Sequence, residues 1–381
     1  MEPHPATNSV FSPSSEARHR LDAVDALRGL AIFFVLMNHV NMRLFLDKFP
    51  YWQAIPDRLR GALVWNGQNG VQIFFVISGF LITSTSLRRW GTLSAIRVRD
   101  FYRLRFARIA PLLLLLLGAL SILHLAGTPG FVVSQKTGGL GRALFAALTF
   151  HINLLEAQRG YLPGSWDILW SLSVEEAFYV FFPLICRWAR REKLLFIILA
   201  AFVALGPFAR TLMTHGNETW KEVSYLGGMD AIALGCLTAL LLAKWRIAPR
   251  ASLPLGLGGI CAVVFILGFA ADDDVLARLG LDMTVLAVGT CLIIAATAHP
   301  SRVGAVVLEP LRWLGRRSYE VYLTHMFVVM GFFYWFVAGG RPGAAVTLLF
   351  FAVVVFSGIL GEIVARYFSD PLNRMLRHHW E

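Results

Sequence analysis

Apolar runs of roughly 15 to 20 residues recur along most of this 381-residue chain, and no other feature restricts its fold so strongly. About 20 such residues cross the hydrocarbon core of a bilayer as one helix, because a helix satisfies its own backbone hydrogen bonds where water cannot. Charged residues make up only 15% of the chain and hydrophobic ones 56%, with mean hydropathy +0.60. A soluble chain carries about a quarter charged residues. The expected fold class is therefore all-α, a polytopic integral membrane protein with little chain left for a second folded domain.

The expected spans lie near residues 25–45, 70–87, 109–126, 171–188, 194–214, 224–243, 252–270, 279–298, 318–338 and 344–366. The segment 141–155 is apolar but short, and reads as a short or re-entrant helix. Counting it as an eleventh span would put the basic end, Arg374 to His379, outside. Ten spans put both termini in the cytoplasm, as the positive-inside rule asks. Ten spans also place the stretch from Trp166 to Glu176 towards the outer face. Residues 1–20 are polar, without the apolar core of a signal peptide, and are expected to form a disordered cytoplasmic tail before an uncleaved first span. Residues 21–371 then form the transmembrane domain, and 372–381 a short basic cytoplasmic tail.

The net charge of +11 gathers in short loops between spans, where it reports topology. The chain has no nucleic-acid-binding motif, so nucleic acid is not an expected partner. Cys186, Cys236, Cys261 and Cys291 lie in or beside apolar segments without CxxC spacing, and read as small core residues rather than disulfides or metal ligands.

Candidate chemistry begins in the first span, LDAVDALRGLAIFFVLMNH. On helical geometry, Arg28 and His39 fall within about 20° of one face and about 16 Å apart along the axis, half the hydrocarbon thickness. Asp25, three residues before Arg28, can pair with it. An ionisable His39 near the midplane points to function; the alternative is an imidazole hydrogen-bonded to a neighbouring helix. The segment FYRLRFARIAP offers Arg103, Arg105 and Arg108, whose guanidinium forks suit phosphate, although such arginines also serve as plain topogenic charge. The segment WDILWSLSVEEAFYVFFP sets Glu175 and Glu176 just inside an apolar run. Adjacent helical residues diverge by about 100°, so at most one is expected to face the interior comfortably. Glu175 reads either as a solvated interfacial residue or as a partner for His39 or for substrate hydroxyls. His325 in SYEVYLTH and Asp230 in GGMDAIALG are further polar groups within spans, each more in keeping with a structural role. No GxSxG, P-loop, HExxH or GxGxxG after a strand is present, and Ser78 in ISGFL has no adjacent base in sequence.

Taken together, LDAVDALRGLAIFFVLMNH, FFVISGFLI, FYRLRFARIAP, WSLSVEEAFY and SYEVYLTH resemble, in their order, acyltransferase family 3. These are integral-membrane O-acyltransferases acting on carbohydrates. The resemblance runs from Leu21 to about Pro371. It implies essential roles for Arg28 and His39, with His39 the catalytic base, and sites for the acyl-CoA donor at Arg105 and Arg108. It also matches Ser78, Gly79 and Phe80 to the family's Ser-Gly-Phe and Glu175 to its glutamate. The family's Glu-Pro near the last span is Asp370–Pro371 here, which leaves that carboxylate without an assigned role.

The function so implied is transfer of an acyl group, most simply acetyl, from cytoplasmic acyl-CoA to a hydroxyl of a cell-surface or lipid-linked carbohydrate. The expected setting is a bacterial inner (cytoplasmic) membrane, with acyl-CoA as donor substrate and no permanently bound cofactor. Arg103, Arg105, Arg108, Ser78 and Gly79 would bind the donor. His39 would deprotonate the acceptor or carry the acyl group itself, with Glu175 nearby, while Asp25 and Arg28 orient the first helix. The competing reading is a transporter or flippase of a lipid-linked glycan, against which stands the lack of an inverted repeat or paired broken helices. A catalytically idle scaffold would have little use for so many intramembrane ionisable groups.

Overall fold

Each apolar run closes its own backbone hydrogen bonds as a helix, and helices account for all the regular structure. A computed structural model describes residues 15–44, 50–214, 216–270, 274–297 and 308–379, and no strand occurs among them. The principal helices are α1 (Ser15–Leu44), α2 (Gly67–Trp90), α3 (Val98–Leu125), α4 (Leu169–Ala189) and α5 (Glu192–Arg210). They continue as α6 (Tyr225–Lys244), α7 (Pro249–Gly268), α8 (Asp282–Ala296), α9 (Ser318–Ala338) and α10 (Val346–Val364).

Nine helical stretches among the described residues are long and apolar enough to cross a bilayer. The remaining helix, α8, has 15 residues and spans only about 22 Å, yet it packs against α2, α6 and α7 inside the bundle. The segment expected to be short divides into Gly139–Leu148 and Ile152–Arg159 at Phe150, whose φ is +56°, and neither helix is long enough to cross a bilayer alone. Three expected boundaries move. Helix α1 starts at Ser15 rather than near residue 25, so residues 15–20 are helical and not part of a disordered tail, while residues 1–14 lie outside the described residues. Helix α3 starts at Val98, about three turns before the apolar block, because nothing between Arg97 and Pro111 breaks a helix and Asp100 favours its first turn. Its arginines therefore stand on a helix rather than in a loop. At the C-terminus α10 runs on through a π-helical turn, Ala365–Ser369, into Asp370–His378, a helix where a basic tail was expected, which packs beside α3.

Helix α1 is central, touching α2, α9, α10 and the short helix Glu309–Arg316. Lipid-facing side chains such as Leu114, Ile122, Phe181, Leu253 and Phe351 are exposed. Of the cysteines, Cys186, Cys236 and Cys291 are buried, whereas Cys261 is exposed rather than in the core.

Two backbone crossings hold the site's helices in place. A Cβ on Gly29 would lie 1.9 Å from the Leu311 carbonyl oxygen, and one on Gly315 1.8 Å from that of Asp25. The second crossing joins α2 to α6, where a Cβ on Gly79 would lie 1.9 Å from the Ile232 oxygen and one on Gly235 2.0 Å from that of Val76. Small residues let backbones approach this closely inside a membrane. Asp230 of α6 is fully buried and ties its helix to three others. It accepts from Arg210 Nη2 (2.9 Å), Thr284 Oγ1 (2.8 Å) and Gln72 Nε2 (3.2 Å).

Candidate active site

Helices α1, α2, α3, α4 and α9 enclose a cavity of about 370 Å³, the size of a pocket for one slender ligand. It lies on the side of the bundle where α2 ends and α3 begins, the arginine-rich face. Arg89 and Trp90, at the end of α2, and Arg377, from the C-terminal helix, line it where it meets solvent.

Deeper in, each arginine has a carboxylate. On α3, Arg105 and Arg108 are one turn apart and serve different neighbours. Arg105 Nη2 donates to Glu176 Oε1 on α4 (3.1 Å), with its guanidinium 3.7 Å over the Tyr179 ring. Arg108 pairs with Glu320 on α9 (3.0 Å) and lies 4.9 Å over the Tyr319 ring. On α1, Arg28 Nε donates to Ser318 Oγ (2.9 Å), and its Nη1 stands 4.0 Å from Asp25. Such pairing is what a low-dielectric site requires, since an unpaired charge there is costly.

Helical spacing explains which side chains reach the cavity. On α4, Ser171, Glu175 and Tyr179 repeat every four residues and all line it, while Glu176, turned about 100° aside, meets α3. Both glutamates are therefore accommodated, where only one was expected to be. Because α4 runs antiparallel to α3, the two glutamates lie level with Arg105, near the middle of the stretch Gly164–Ala189. Ser78 of α2 lines the cavity and hydrogen-bonds the Tyr179 hydroxyl. Ser318, Tyr319 and Tyr322 bring α9 to the same wall. Tyr322 and Ser171 share a hydrogen bond of 2.7 Å at the cavity's inner end, and Tyr322 also donates to the Ile168 carbonyl (2.9 Å).

One turn beyond Tyr322 sits His325, fully buried, facing His39 across the α1–α9 contact. His325 Nε2 is 3.2 Å from His39 Nδ1, and the rings are 4.9 Å apart. His39 Nδ1 also lies 3.0 Å from the Val35 oxygen, and His325 Nδ1 2.7 Å from that of Tyr322. His39 is thus one residue layer past the cavity rather than on its wall.

Of the residues singled out in the sequence, the structure gathers Arg28, Ser78, Arg105, Arg108 and Glu175 around one cavity, with Asp25 beside Arg28. Gly79 points away, into the crossing with α6, and Arg103 lies near Asp100 (4.0 Å). The nitrogen facing His39 belongs to His325, not to a group on α4. Glu176 was noted beside Glu175 without a role, and Glu320, Tyr179, Tyr319 and Tyr322 were not picked out. An arginine and an acid each buried in an apolar helix are the signal that could have paired Arg108 with Glu320. Asp370, which replaces the family's glutamate, accepts from Arg317 Nη1 (3.0 Å) alongside Glu362, away from the cavity.

On the opposite side of the bundle, Glu156 is buried near Asp167. Burial, with the Asp167 charge behind it, raises its carboxyl well above the usual carboxylate range.

Comparison with known proteins bears on what such a site does. The profile of the acyltransferase domain family matches residues 21–366. The O-acetyltransferase OatA of Staphylococcus aureus is 23% identical over 369 residues, covering 93% of this chain and 57% of the relative. The peptidoglycan O-acetyltransferase OatA of Listeria monocytogenes is 26% identical over 330 residues, covering 81% and 49%. The chain thus spans about half the length of these curated relatives. No solved structure matches it.

Proposed function

The chain belongs to the acyltransferase domain family, and from that premise we propose that it transfers an acyl group, most simply acetyl, from acyl-CoA to a hydroxyl of a cell-envelope carbohydrate. Because one relative is named for peptidoglycan, glycan strands of that class are the acceptor to test first.

The observation that carries this reading is the charge layout of the cavity. Its inner part sets Arg28, Arg105 and Arg108 among Asp25, Glu175, Glu176 and Glu320, so that each arginine is matched by a carboxylate and the space suits an uncharged chain. Its mouth adds Arg89 and Arg377, both exposed, and the indole of Trp90. An acyl-pantetheine arm fits the first part, and a nucleotide head with its phosphates fits the second, since guanidinium forks suit phosphate. By the positive-inside rule the arginine-rich face is cytoplasmic, so the donor enters from there and both chain ends lie on that side of a bacterial inner membrane.

The chemistry falls to His39. Its imidazole removes the proton of the acceptor hydroxyl as the oxygen attacks the thioester carbonyl. The carbon–sulfur bond then breaks, and the leaving thiolate takes the proton back. Such general-base assistance contributes about 10²–10⁴-fold. Glu175, on the cavity wall one turn from Ser171, is placed to hold a polar part of the donor. Arg28, tied to Ser318 and near Asp25, fixes α1 against α9 and so sets His39 one residue layer beyond the cavity's inner end.

The test is radiolabelled acetyl transfer from acetyl-CoA to peptidoglycan glycan fragments by the purified protein in liposomes. Transfer by the wild type that is lost in Arg28→Ala and His39→Ala supports the reading. Equal transfer by all three refutes the assignment of this cavity.

A further inference from the structure

We propose that His325 is a positioning residue for the reaction: its Nε2 lone pair receives the Nδ1–H of His39, which fixes the His39 tautomer and leaves Nε2 of His39 as the base. This rests on the reading of His39 as the group that takes the acceptor proton.

The tautomers follow from the partners. A carbonyl oxygen only accepts, so a ring nitrogen bonded to one must carry hydrogen. His325 Nδ1, 2.7 Å from the Tyr322 oxygen, is therefore the protonated nitrogen of a neutral ring, and its Nε2 keeps a lone pair. His39 Nδ1, 3.0 Å from the Val35 oxygen, carries hydrogen too, and this hydrogen is shared with His325 Nε2 at 3.2 Å. One assignment satisfies all three contacts. It leaves a single nitrogen of the pair, Nε2 of His39, with neither a hydrogen nor a partner among the described residues.

The same arrangement serves the proton step. When His39 Nε2 takes the hydroxyl proton, the positive charge spreads to Nδ1–H, which already points at a lone pair and a carbonyl oxygen. No other reorganisation is needed, and the proton returns from Nε2 to the departing thiolate. His325 touches neither donor nor acceptor. It stands fully buried behind His39, one turn above the tyrosine that ends the cavity. An orienting partner behind the base is how catalytic imidazoles are commonly held, although a carboxylate is the more frequent choice. A neutral imidazole does the same work here without placing a fixed negative charge at the centre of a membrane, which would be costly.

The experiment compares three variants of the full chain in liposomes, with acetyl-CoA as donor and peptidoglycan glycan fragments as acceptor. His325→Leu removes the lone pair. His325→Asn keeps a group able to donate to the Tyr322 oxygen but is too short to reach His39. His325→Gln extends an amide oxygen to the place of Nε2. The expected result is a fall of about 10²-fold in kcat for Leu and Asn, with KM for acetyl-CoA unchanged, and recovery of about tenfold in Gln. Asn and Gln are both polar, so their contrast decides the matter even if Leu fails to fold. The proposal is overturned if Gln is no better than Asn, or if kcat stays near the wild-type value in either Asn or Leu. It is also overturned if KM rises in step with the fall in kcat. His39→Ala separates the two claims. If it keeps full kcat, the base assignment itself fails; if it is inactive while His325→Asn is normal, only the role of His325 fails.

Discussion

Replacing Gly79 with alanine puts a methyl carbon 1.9 Å from the Ile232 carbonyl oxygen, where a Cβ rarely comes closer than 3.4 Å. Helices α2 and α6 would have to separate locally by about 1.5 Å, the difference between those two distances. Forced overpacking of this kind costs typically 1–3 kcal/mol, and a backbone oxygen cannot swing aside as a side chain does. The unfolding midpoint should fall by on the order of 5 °C, given about 2–4 °C per kcal/mol in larger domains. Tryptophan fluorescence during heating in detergent reads this directly. Gly235→Ala, which meets the Val76 oxygen at 2.0 Å on the other side of the same crossing, should lose a similar amount. For both variants, KM for acetyl-CoA in the folded fraction should match the wild type. An unchanged midpoint for Gly79→Ala together with a raised KM would refute the packing argument and return this glycine to the donor site.

Arg89→Ala and Arg377→Ala should each raise KM for acetyl-CoA several-fold with kcat unchanged, and the effect should shrink in high salt, as steady-state assays across ionic strength would show. Arg105→Met strands Glu176 in the bundle and should destabilise the protein by about 3–5 kcal/mol, whereas Arg105→Met with Glu176→Leu should recover most of that loss in chemical unfolding. Glu156 gives a pH dependence. Because its native carboxyl ionises well above the unfolded one, the unfolded chain loses its proton first, and stability falls as pH rises above about 4.3. Glu156→Gln removes that fall, so its unfolding midpoint should exceed the wild type's at pH 8 and match it at pH 4. A gain of equal size at both would show that the carboxyl is not the cause.

Much of the scaffold was legible because membrane helices announce themselves by length and apolar content, and loop arginines by side. The span expected at 318–338 is α9 itself, and the short run at 141–155 falls into two helices of 10 and 8 residues. Helix α3 was placed too late, since a run of arginines looks like a loop when the eye follows hydropathy alone. In truth the long arginine stems pack along the helix while their heads find Glu176 and Glu320. The site was half legible. His325 was seen only as a polar group within a span, while helical phase put Arg28 and His39 on one face. It carried no information on which helices meet, so nothing told that His325, 286 residues further on, faces His39. The direction of Gly79 was hidden for the same reason: a glycine in an apolar run shows its purpose only when the neighbouring backbone is known.

The central claim is that an imidazole one residue layer beyond this cavity moves an acyl group onto a glycan. The most direct measurement is mass spectrometry of peptidoglycan fragments after incubation with the liposome-embedded protein and acetyl-CoA, wild type beside His39→Ala. The account predicts ester-linked acetyl on the glycan with the wild type and none with His39→Ala, while both proteins retain the same acetyl-CoA affinity. Equal acetylation by His39→Ala would contradict it.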